Sequence, residues 1–184
     1  MDALSRLAYR AGGGDGRAME LFIETSYEPV WRLCSALVDE QAAPDLAQET
    51  FMRAVRNMPR FRGQSTALTW LLGTARHVCL DELRTRSRRR RRDEVFAARR
   101  PRATGDAAMD VAASDLVRRL APERRAAFVL TQVLGLSYAE AAVVCECPPG
   151  TVRSRVARAR AELIGWWEDD GQGRGEPAAG SVSP

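Results

Sequence analysis

The sequence contains no lysine: all 28 of its basic residues are arginine, set against 24 acidic residues and one histidine. Aromatic residues make up only 7% of the 184 positions. No apolar run reaches the roughly 18 residues that a membrane-spanning helix needs, and the N-terminal segment lacks the apolar core of a signal peptide. Because neither an export signal nor a membrane span is recognisable, we expect a cytoplasmic protein.

The four cysteines, Cys34, Cys79, Cys145 and Cys147, lack the paired spacing of a zinc site, because only the last two lie close together. A reducing compartment disfavours disulfides, and Cys34 and Cys79 fall on apolar helical faces, where free cysteine acts as a small core residue. His77 and Cys79 lack the oriented third group of a nucleophilic site. The sequence therefore predicts no metal, no cofactor and no catalytic residue.

Apolar residues make up 45% of the chain, which is enough for globular cores, and they recur at helical spacing. Strand signals are nearly absent, so the sequence predicts an all-α protein. Pro29 and Pro44 are placed in the first turns of their helices, where proline is tolerated. The predicted helices span residues 3–12, 16–26, 28–39, 44–57, 66–86, 113–119, 122–133, 137–145 and 149–166.

The most specific segment runs from Leu134 to Leu163. Ser137 and Glu140 have the spacing of a capping box at the start of a short helix. A Cys-Pro-Pro-Gly turn at residues 147–150 ends that helix, and a longer helix follows. A short helix, a tight turn and a second helix are typical of a helix-turn-helix motif.

The second helix of this motif divides into a packing seam and a polar face. At about 100° per residue, Val152 and Val156 fall on one side together with Ala159 and Leu163. The far side offers short side chains and arginine, which can approach base edges and phosphates in a major groove. The alternative is a solvated basic face on an ordinary helix. The predicted DNA contacts are Thr151, Arg153, Ser154, Arg155, Ala157, Arg158 and Arg160.

The predicted helix 66–86 carries a second stripe. Trp70, Thr74, His77, Asp81 and Arg84 lie within about 40° of Trp70, away from the apolar face of the same helix. An aromatic ring, an imidazole and a guanidinium on one stripe can stack on and hydrogen-bond an unpaired base. The alternatives are that Trp70 packs in a core and that His77 is an ordinary surface residue.

The excess of positive charge lies in the middle of the chain, where residues 76–102 hold 11 arginines against 4 acids. This asymmetry favours a polyanionic partner. The arginine run 88–92 contains no apolar residues at helical spacing. It is either a solvated linker or a segment that lies along phosphates and adds salt-dependent affinity for nucleic acid. The sequence predicts an N-terminal helical bundle (1–87), a flexible basic linker (88–112), a C-terminal helix-turn-helix domain (113–168) and a disordered tail (169–184).

Three segments, in this order, resemble the extracytoplasmic-function (ECF) sigma factors, the small two-domain promoter-recognition subunits of bacterial RNA polymerase. The resemblance covers roughly residues 17–167. The segments are Asp45-Leu46-Ala47-Gln48-Glu49-Thr50-Phe51, the stretch from Phe61-Arg62-Gly63 through Thr69-Trp70-Leu71-Leu72 and Ala75-Arg76-His77 to Asp81-Glu82-Leu83-Arg84, and the helix-turn-helix.

The resemblance implies partners and roles. The first segment would bind the clamp coiled coil of the polymerase's largest subunit, with Leu46, Phe51 and Val55 supplying apolar surface; the alternative is an ordinary core helix with a polar face. Its implied contacts are Asp45, Leu46, Gln48, Glu49, Phe51 and Arg53. The second would melt and read the −10 element through Arg60, Phe61, Arg62, Trp70, Arg76, His77, Asp81 and Arg84. The helix-turn-helix would read the −35 element. The flap of the second-largest subunit and an anti-sigma factor are further partners that the resemblance allows.

The resemblance leaves open which −10 base this chain prefers, because relatives commonly carry asparagine where this chain has His77. Two other functions remain to be weighed. A stand-alone helix-turn-helix regulator would dimerise to match two half-sites, and only Trp166 and Trp167 offer a candidate dimer surface. A nucleic-acid-processing enzyme would need clustered carboxylates, but the nearby acids do not share one helical face; these acids are Asp81, Glu82, Asp93 and Glu94.

Overall fold

The computed structural model of the chain describes residues 1–93 and 110–172, and within these ranges every regular element is helical. The all-α prediction is confirmed. The N-terminal part comprises α1 (Ala3–Gly12), α2 (Gly16–Leu37), α3 (Ala43–Asn57), a 3-10 turn (Met58–Arg60) and α4 (Ala67–Asp93). The C-terminal part comprises α5 (Asp110–Arg119), α6 (Pro122–Phe128) with a π-helical turn (Val129–Val133), α7 (Tyr138–Cys145) and α8 (Pro149–Gln172).

The N-terminal bundle is organised around α4. Leu71 and Leu72 of α4 are fully buried and share one core with Phe22 and Leu33 of α2. A buried hydrogen bond fixes the start of α4, where the Ala67 N–H donates to the Ser5 hydroxyl of α1 at 2.9 Å. This bond satisfies one of the amide groups that have no partner within the first turn of a helix. The core and the bond together hold the outer face of α4 in a defined orientation.

The structure corrects the prediction of two helices at residues 16–26 and 28–39, because α2 is continuous through Pro29. Proline removes the N–H that would bond to the carbonyl of residue 25, four positions earlier. Thr25 is exposed, so this carbonyl lies on the solvent side of the helix. Phe22 and Val30, on either side of the proline, are both fully buried. The free energy gained by burying that apolar face outweighs the loss of one backbone hydrogen bond at Pro29. Pro44 does lie in the first turn of α3, as predicted.

The C-terminal part has the predicted helix-turn-helix. The Ser137 hydroxyl and the Glu140 carboxylate form the capping box at the start of α7. Glu146 ends α7 in the left-handed region, with φ of 53°, a conformation more often taken by glycine. In α8 three of the four predicted seam residues, Val152, Val156 and Ala159, are at most 1% exposed, whereas Leu163 is half-buried. The polar face of α8 is therefore turned away from the domain core.

Two predicted boundaries are wrong. Residues 88–93 continue α4, although the linker was predicted to begin at residue 88. Arginine is a good helix former, so a run of arginines without apolar phase can still extend a helix. The predicted tail begins at residue 169, but α8 continues to Gln172. The remainder of the linker (94–109) and of the tail (173–184) lies outside the described residues. Among the described helices, none combines the length and apolarity required to cross a membrane.

The two helical parts pack against each other, α4 against α7 and α2 against α6. Buried residues of both parts, including Val78 and Cys79 of α4 and Cys145 of α7, belong to one continuous apolar cluster. The four cysteines are free thiols. Burial and hydrogen bonding to Cys34 hold the Cys79 thiol protonated, since the hydrogen bond and then desolvation raise its pKa. Cys34, Cys79 and Cys145 therefore serve as core residues, whereas Cys147 is half-buried.

Candidate nucleic-acid interface

The outer face of α8 is the first part of the interface. Arg153, Ser154, Ala157, Arg158 and Arg160 are all exposed, opposite the buried seam. The helix thus presents two small side chains flanked by guanidinium groups. That combination allows close approach to a groove floor while arginine reaches base edges or phosphates.

The arginines of α8 differ in how they are held. Arg153 lies over the Tyr138 ring, with its guanidinium carbon 5.6 Å from the ring centroid. Arg155 is half-buried, and its Nη1 donates to Cys147 Sγ at 3.5 Å, so it is directed toward the turn of the motif. Arg160 donates to Gln132, a partner that the sequence did not reveal.

Arg158 differs from these three arginines, since within the described residues it forms no hydrogen bond, ion pair or ring contact. Thr151 is half-buried, and its carbonyl accepts a hydrogen bond from the Ser154 hydroxyl at 2.9 Å. Of the four arginines of α8 that are predicted to contact DNA, Arg158 is therefore the one that can bind a base without giving up an internal contact.

The stripe of α4 forms the second part. Trp70 is half-buried, and its ring lies 5.5 Å from that of Phe61 at an angle of 51°. Phe61 itself is only 7% exposed and belongs to the core. The buried position of Phe61 does not support the prediction that this residue contacts DNA. Its ring packs against Trp70 instead. Arg60 and Arg62, on either side of it, are exposed and remain available to DNA.

Asp81 links the predicted −10 stripe of α4 to α3, which carries the predicted polymerase-binding segment. It accepts from Arg53 of α3 at 3.1 Å and from Arg84 at 3.3 Å, and Arg53 also binds Glu49 at 2.7 Å. The hydrogen bond from Arg53 is the main cause that holds the pKa of Asp81 below its ordinary value. The carboxylate therefore positions Arg53 and Arg84 rather than presenting a free acceptor.

Arg76 and His77 are contacted by the C-terminal part. His77 Nε2 lies 2.9 Å from Glu146 Oε1, at the left-handed end of α7. Arg76 Nη1 donates to the Val144 carbonyl at 3.5 Å. The stripe predicted to read an unpaired base is thus partly covered in this arrangement of the two parts.

The predicted polymerase-binding segment lies on α3. Asp45 and Gln48 are exposed, but Leu46 and Phe51 are 8% and 7% exposed and belong to the core. The prediction that these two residues supply apolar surface is wrong, because α3 packs this face against α2 and α4. The apolar side chains that are exposed here are Tyr27 of α2 and Met52 and Val55 of α3.

Val55 was among the predicted surface residues, whereas Tyr27 and Met52 were missed. Tyr27 stacks on Phe51 with ring centroids 6.3 Å apart and planes 8° apart, so two helices build this surface jointly. The spacing of Met52 and Val55 on one helix was a usable signal. The packing of Tyr27 beside them depends on the tertiary structure.

Arg125 of α6 joins the two parts of the chain. Its Nη1 donates to the Leu37 carbonyl at the end of α2 at 3.2 Å. Its Nη2 donates to the carbonyls of Leu120, at 3.0 Å, and Arg118. Desolvation lowers the pKa of this guanidinium. A second link is the ion pair of Arg118 with Glu40 at 3.5 Å. No sequence pattern indicated either role.

These features define a class: an all-α protein in two parts, with a helix-turn-helix and a separate aromatic and basic helical stripe as candidate DNA-binding surfaces. In the ranges that the structure describes, no group of three or more His, Cys, Asp or Glu side chains could hold a metal ion. The exposed side chains of α8 and α4 can recognise nucleic acid through polar contacts.

Comparison with known proteins assigns the family. The family descriptions "Sigma-70 region 2" and "Sigma-70, region 4" match residues 22–89 and 111–163. The chain is 45% identical over 176 residues to the ECF RNA polymerase sigma factor SigC of Mycobacterium tuberculosis, covering 92% of this chain and 94% of that protein. It is 31% identical over 169 residues to the ECF RNA polymerase sigma-E factor of Escherichia coli, covering 84% and 88%. The chain belongs to the ECF RNA polymerase sigma factors, which direct transcription initiation.

Solved structures agree with this assignment. CnrH in complex with the cytosolic domain of CnrY is 25% identical, with a TM-score of 0.73, over 92% of this chain and 99% of that one. The sigma factor RpoE of Bartonella quintana in complex with the anti-sigma factor NepR is 27% identical, with a TM-score of 0.70, over 81% and 96%. Both neighbours were therefore solved with a bound partner protein.

Proposed function

We propose that this sigma factor binds core RNA polymerase, reads −35 duplex DNA with α8 and captures unpaired −10 bases with the outer stripe of α4. The observation that carries the proposal is the division of α8 into a fully buried seam and an exposed face of Ser154, Ala157 and Arg158. On this proposal residues 1–93 bind polymerase and the −10 element, and residues 113–168 bind the −35 element.

The −10 part of the proposal rests on the groups along α4. Trp70 offers a partly exposed ring, and His77 offers two nitrogens to the edge of an unpaired base. Stacking on an aromatic ring and hydrogen bonds to the base edge are how proteins hold a base outside the duplex. Arg60 and Arg62 lie before the start of α4 and can bind the adjoining phosphates.

The packing of α7 on α4 adds a requirement for promoter binding. Glu146 pairs with His77, whose side chain is still 50% exposed, and the Val144 carbonyl accepts from the half-buried Arg76. Both side chains must therefore give up contacts to the end of α7 before all of their polar groups can bind DNA. We therefore propose that promoter binding needs a more open arrangement of the two parts. Binding of the two parts to separate surfaces of polymerase supplies the free energy for this opening.

The surface that we propose for polymerase differs from the one expected from the sequence. Asp45 and Gln48 supply polar contacts, and Tyr27, Met52 and Val55 supply apolar area in place of the buried Leu46 and Phe51. We assign this surface to the clamp coiled coil of the largest subunit. The flap of the second-largest subunit and an anti-sigma factor are proposed as further partners, the latter because the RpoE neighbour was solved in complex with one.

Replacing Arg158 by alanine is expected to weaken binding of holoenzyme to the −35 element about 10- to 100-fold, which corresponds to roughly 1–3 kcal/mol for a bidentate base contact. The measurement is equilibrium binding to promoter duplexes with the preferred and with scrambled −35 sequences. Arg155→Ala is the control, because Arg155 is directed toward Cys147. Equal losses on both duplexes would show that Arg158 binds only phosphate.

Replacing His77 by alanine is expected to change which −10 base is preferred while leaving −35 preference unchanged. The physical reason is that alanine cannot hydrogen-bond a base edge. In-vitro transcription over a library with randomised −10 and −35 positions measures both preferences at once. Glu146→Gln is the control, since it removes the charged partner of His77 without altering the imidazole. An unchanged −10 preference in His77→Ala would assign His77 to packing alone.

The same library with wild-type holoenzyme tests the function as a whole. Promoter-specific initiation that requires the protein supports the proposal, and its absence contradicts it. The alternative is a stand-alone regulator, which would bind one DNA sequence tightly as a dimer without polymerase. Trp167 is exposed beside Trp166, on which Arg119 stacks at 4.6 Å. Sedimentation with and without DNA would detect that dimer.

A further inference from the structure

We propose that the C-terminal end of α4 is a phosphate-binding track for duplex DNA next to the −10 element, formed by Arg84, Arg88 and Arg92. The proposal rests on the −10 reading proposed above. It adds to that base-reading stripe a second part that binds the DNA backbone, on the same helix.

The three arginines continue the stripe of Trp70 and His77. Positions 70, 77 and 84 are separated by seven residues and positions 84, 88 and 92 by four, and at about 100° per residue all five lie within about 40° of Trp70. The phase is preserved because α4 is one helix from Ala67 to Asp93. A guanidinium row therefore follows the base-reading groups on one face.

The charges of this row are available for a partner. Arg88 and Arg92 are exposed, and neither forms an ion pair within the described residues. The Nε of Arg88 only reaches the Arg84 carbonyl, at 3.4 Å. Arg84 is 68% exposed and shares Asp81 with Arg53.

Arg86 shows the contrast within the same run. It donates to Asp39 at 2.5 Å and to Glu82 at 2.6 Å, and the hydrogen bond to Asp39 is the largest cause that raises its pKa. This guanidinium therefore fastens α4 to the loop that follows α2. Arg86 is thus structural, whereas Arg88 and Arg92 face solvent.

Duplex backbone fits this row better than single-stranded nucleic acid. Proteins that hold single strands stack successive bases on aromatic rings, and between residues 71 and 93 there is no Phe, Tyr or Trp. Arginines without neighbouring aromatic rings bind phosphates and carry no sequence information directly. We therefore assign the row to the phosphates of double-stranded DNA.

The helix geometry places the contact along the promoter. At about 1.5 Å per residue, Arg84 and Arg92 lie roughly 10 and 22 Å from His77 along the helix axis. At about 3.4 Å per base pair, this corresponds to roughly 3 to 7 base pairs from the base that His77 reads. The C-terminal end of α4 leads along the chain to the −35-reading part, so the track lies on the duplex between the two elements.

The test compares two double variants with the same loss of charge. Arg88→Gln/Arg92→Gln removes two of the three arginines of the row, whereas Arg89→Gln/Arg90→Gln removes two arginines that point about 100° and 160° away from it. All four side chains are exposed, so both variants are expected to fold; circular dichroism checks this. Holoenzymes containing each variant are titrated with a forked promoter probe, duplex upstream and single-stranded at the −10 element, over a range of salt concentrations.

For Arg88→Gln/Arg92→Gln we expect the salt slope of log affinity to fall by about 2, since each phosphate contact contributes about 0.9, with about a tenfold loss of affinity near 0.1 M salt. The control should change the slope by less than 1. Shortening the upstream duplex to about 2 base pairs should cost the wild type a similar affinity and cost Arg88→Gln/Arg92→Gln little.

Equal losses in the two double variants would overturn the track, because they would indicate a diffuse positive field. A loss that persists on the shortened probe would also overturn it, and would indicate a single strand or a polymerase surface as the partner. If wild-type holoenzyme failed to prefer the forked promoter over a scrambled fork, the proposed function itself would fail. The two failures are therefore distinguishable in one series.

Discussion

Replacing Val156 by aspartate is expected to lower the free energy of unfolding of the C-terminal part by about 4 kcal/mol or more, because a carboxylate would replace an apolar side chain in a closed core. Val156 is 1% exposed and packs in the same apolar cluster as Val144 and Leu130. We expect the helix-turn-helix to lose its packing, and −35 recognition to disappear with it. Chemical denaturation followed by tryptophan fluorescence measures the change, since Trp166 and Trp167 lie on the same helix.

Ala157→Asp is the matched control, one residue further along α8. Ala157 is exposed, so the same carboxylate there should leave the unfolding transition within about 0.5 kcal/mol of the wild type. It should nevertheless reduce −35 binding at least tenfold, because a negative charge would face the DNA phosphates. If Val156→Asp unfolds at the wild-type denaturant concentration, the assignment of seam and reading face is wrong.

Replacing Arg125 by methionine is expected to separate the two parts of the chain and to lower stability by about 3 kcal/mol or more. The guanidinium donates to three backbone carbonyls, those of Leu37, Arg118 and Leu120, and methionine leaves all three without a donor. A buried polar group without a partner costs about 1–3 kcal/mol. Water can satisfy these carbonyls once the parts move apart, so we expect an increased radius of gyration in small-angle X-ray scattering.

Arg124→Met serves as the control for this experiment. Arg124 binds Glu162 at 3.2 Å within the C-terminal part, so the same substitution should leave the scattering curve unchanged. Helix content by circular dichroism should be retained in both variants. Expansion accompanied by loss of helix in Arg125→Met would mean that this arginine holds α5 and α6 together rather than the two parts.

Local patterns in the sequence were sufficient for much of the fold and for one reading face. Ser137 and Glu140 mark the start of α7 by their spacing alone, and the structure shows the capping box there. The seam of Val152, Val156 and Ala159 follows from helical periodicity, and all three are buried. Both signals lie within a few residues of one another, so no knowledge of distant packing is required to use them.

Other residues could not be assigned in this way. Leu46, Phe51 and Phe61 have the same apolar character as Met52 and Val55, yet the first three are buried and the other two exposed. Which apolar side of α3 faces outward depends on where α2 and α4 pack. Pro29 is a further instance, because burial of Phe22 and Val30 keeps α2 continuous across it.

The absence of lysine and the run of arginines were visible from the start, but they did not reveal how each guanidinium is used. Composition and periodicity determined an all-α chain, its helix-turn-helix and its preference for a polyanionic partner, because these depend on residue type and short-range spacing. Only the tertiary structure separated Arg86 and Arg125, which hold helices together, from Arg88 and Arg158, which face solvent. The physical reason is that the partners of the first two include Asp39, in the loop after α2, and the Leu37 carbonyl at the end of α2, at least 47 residues away along the chain.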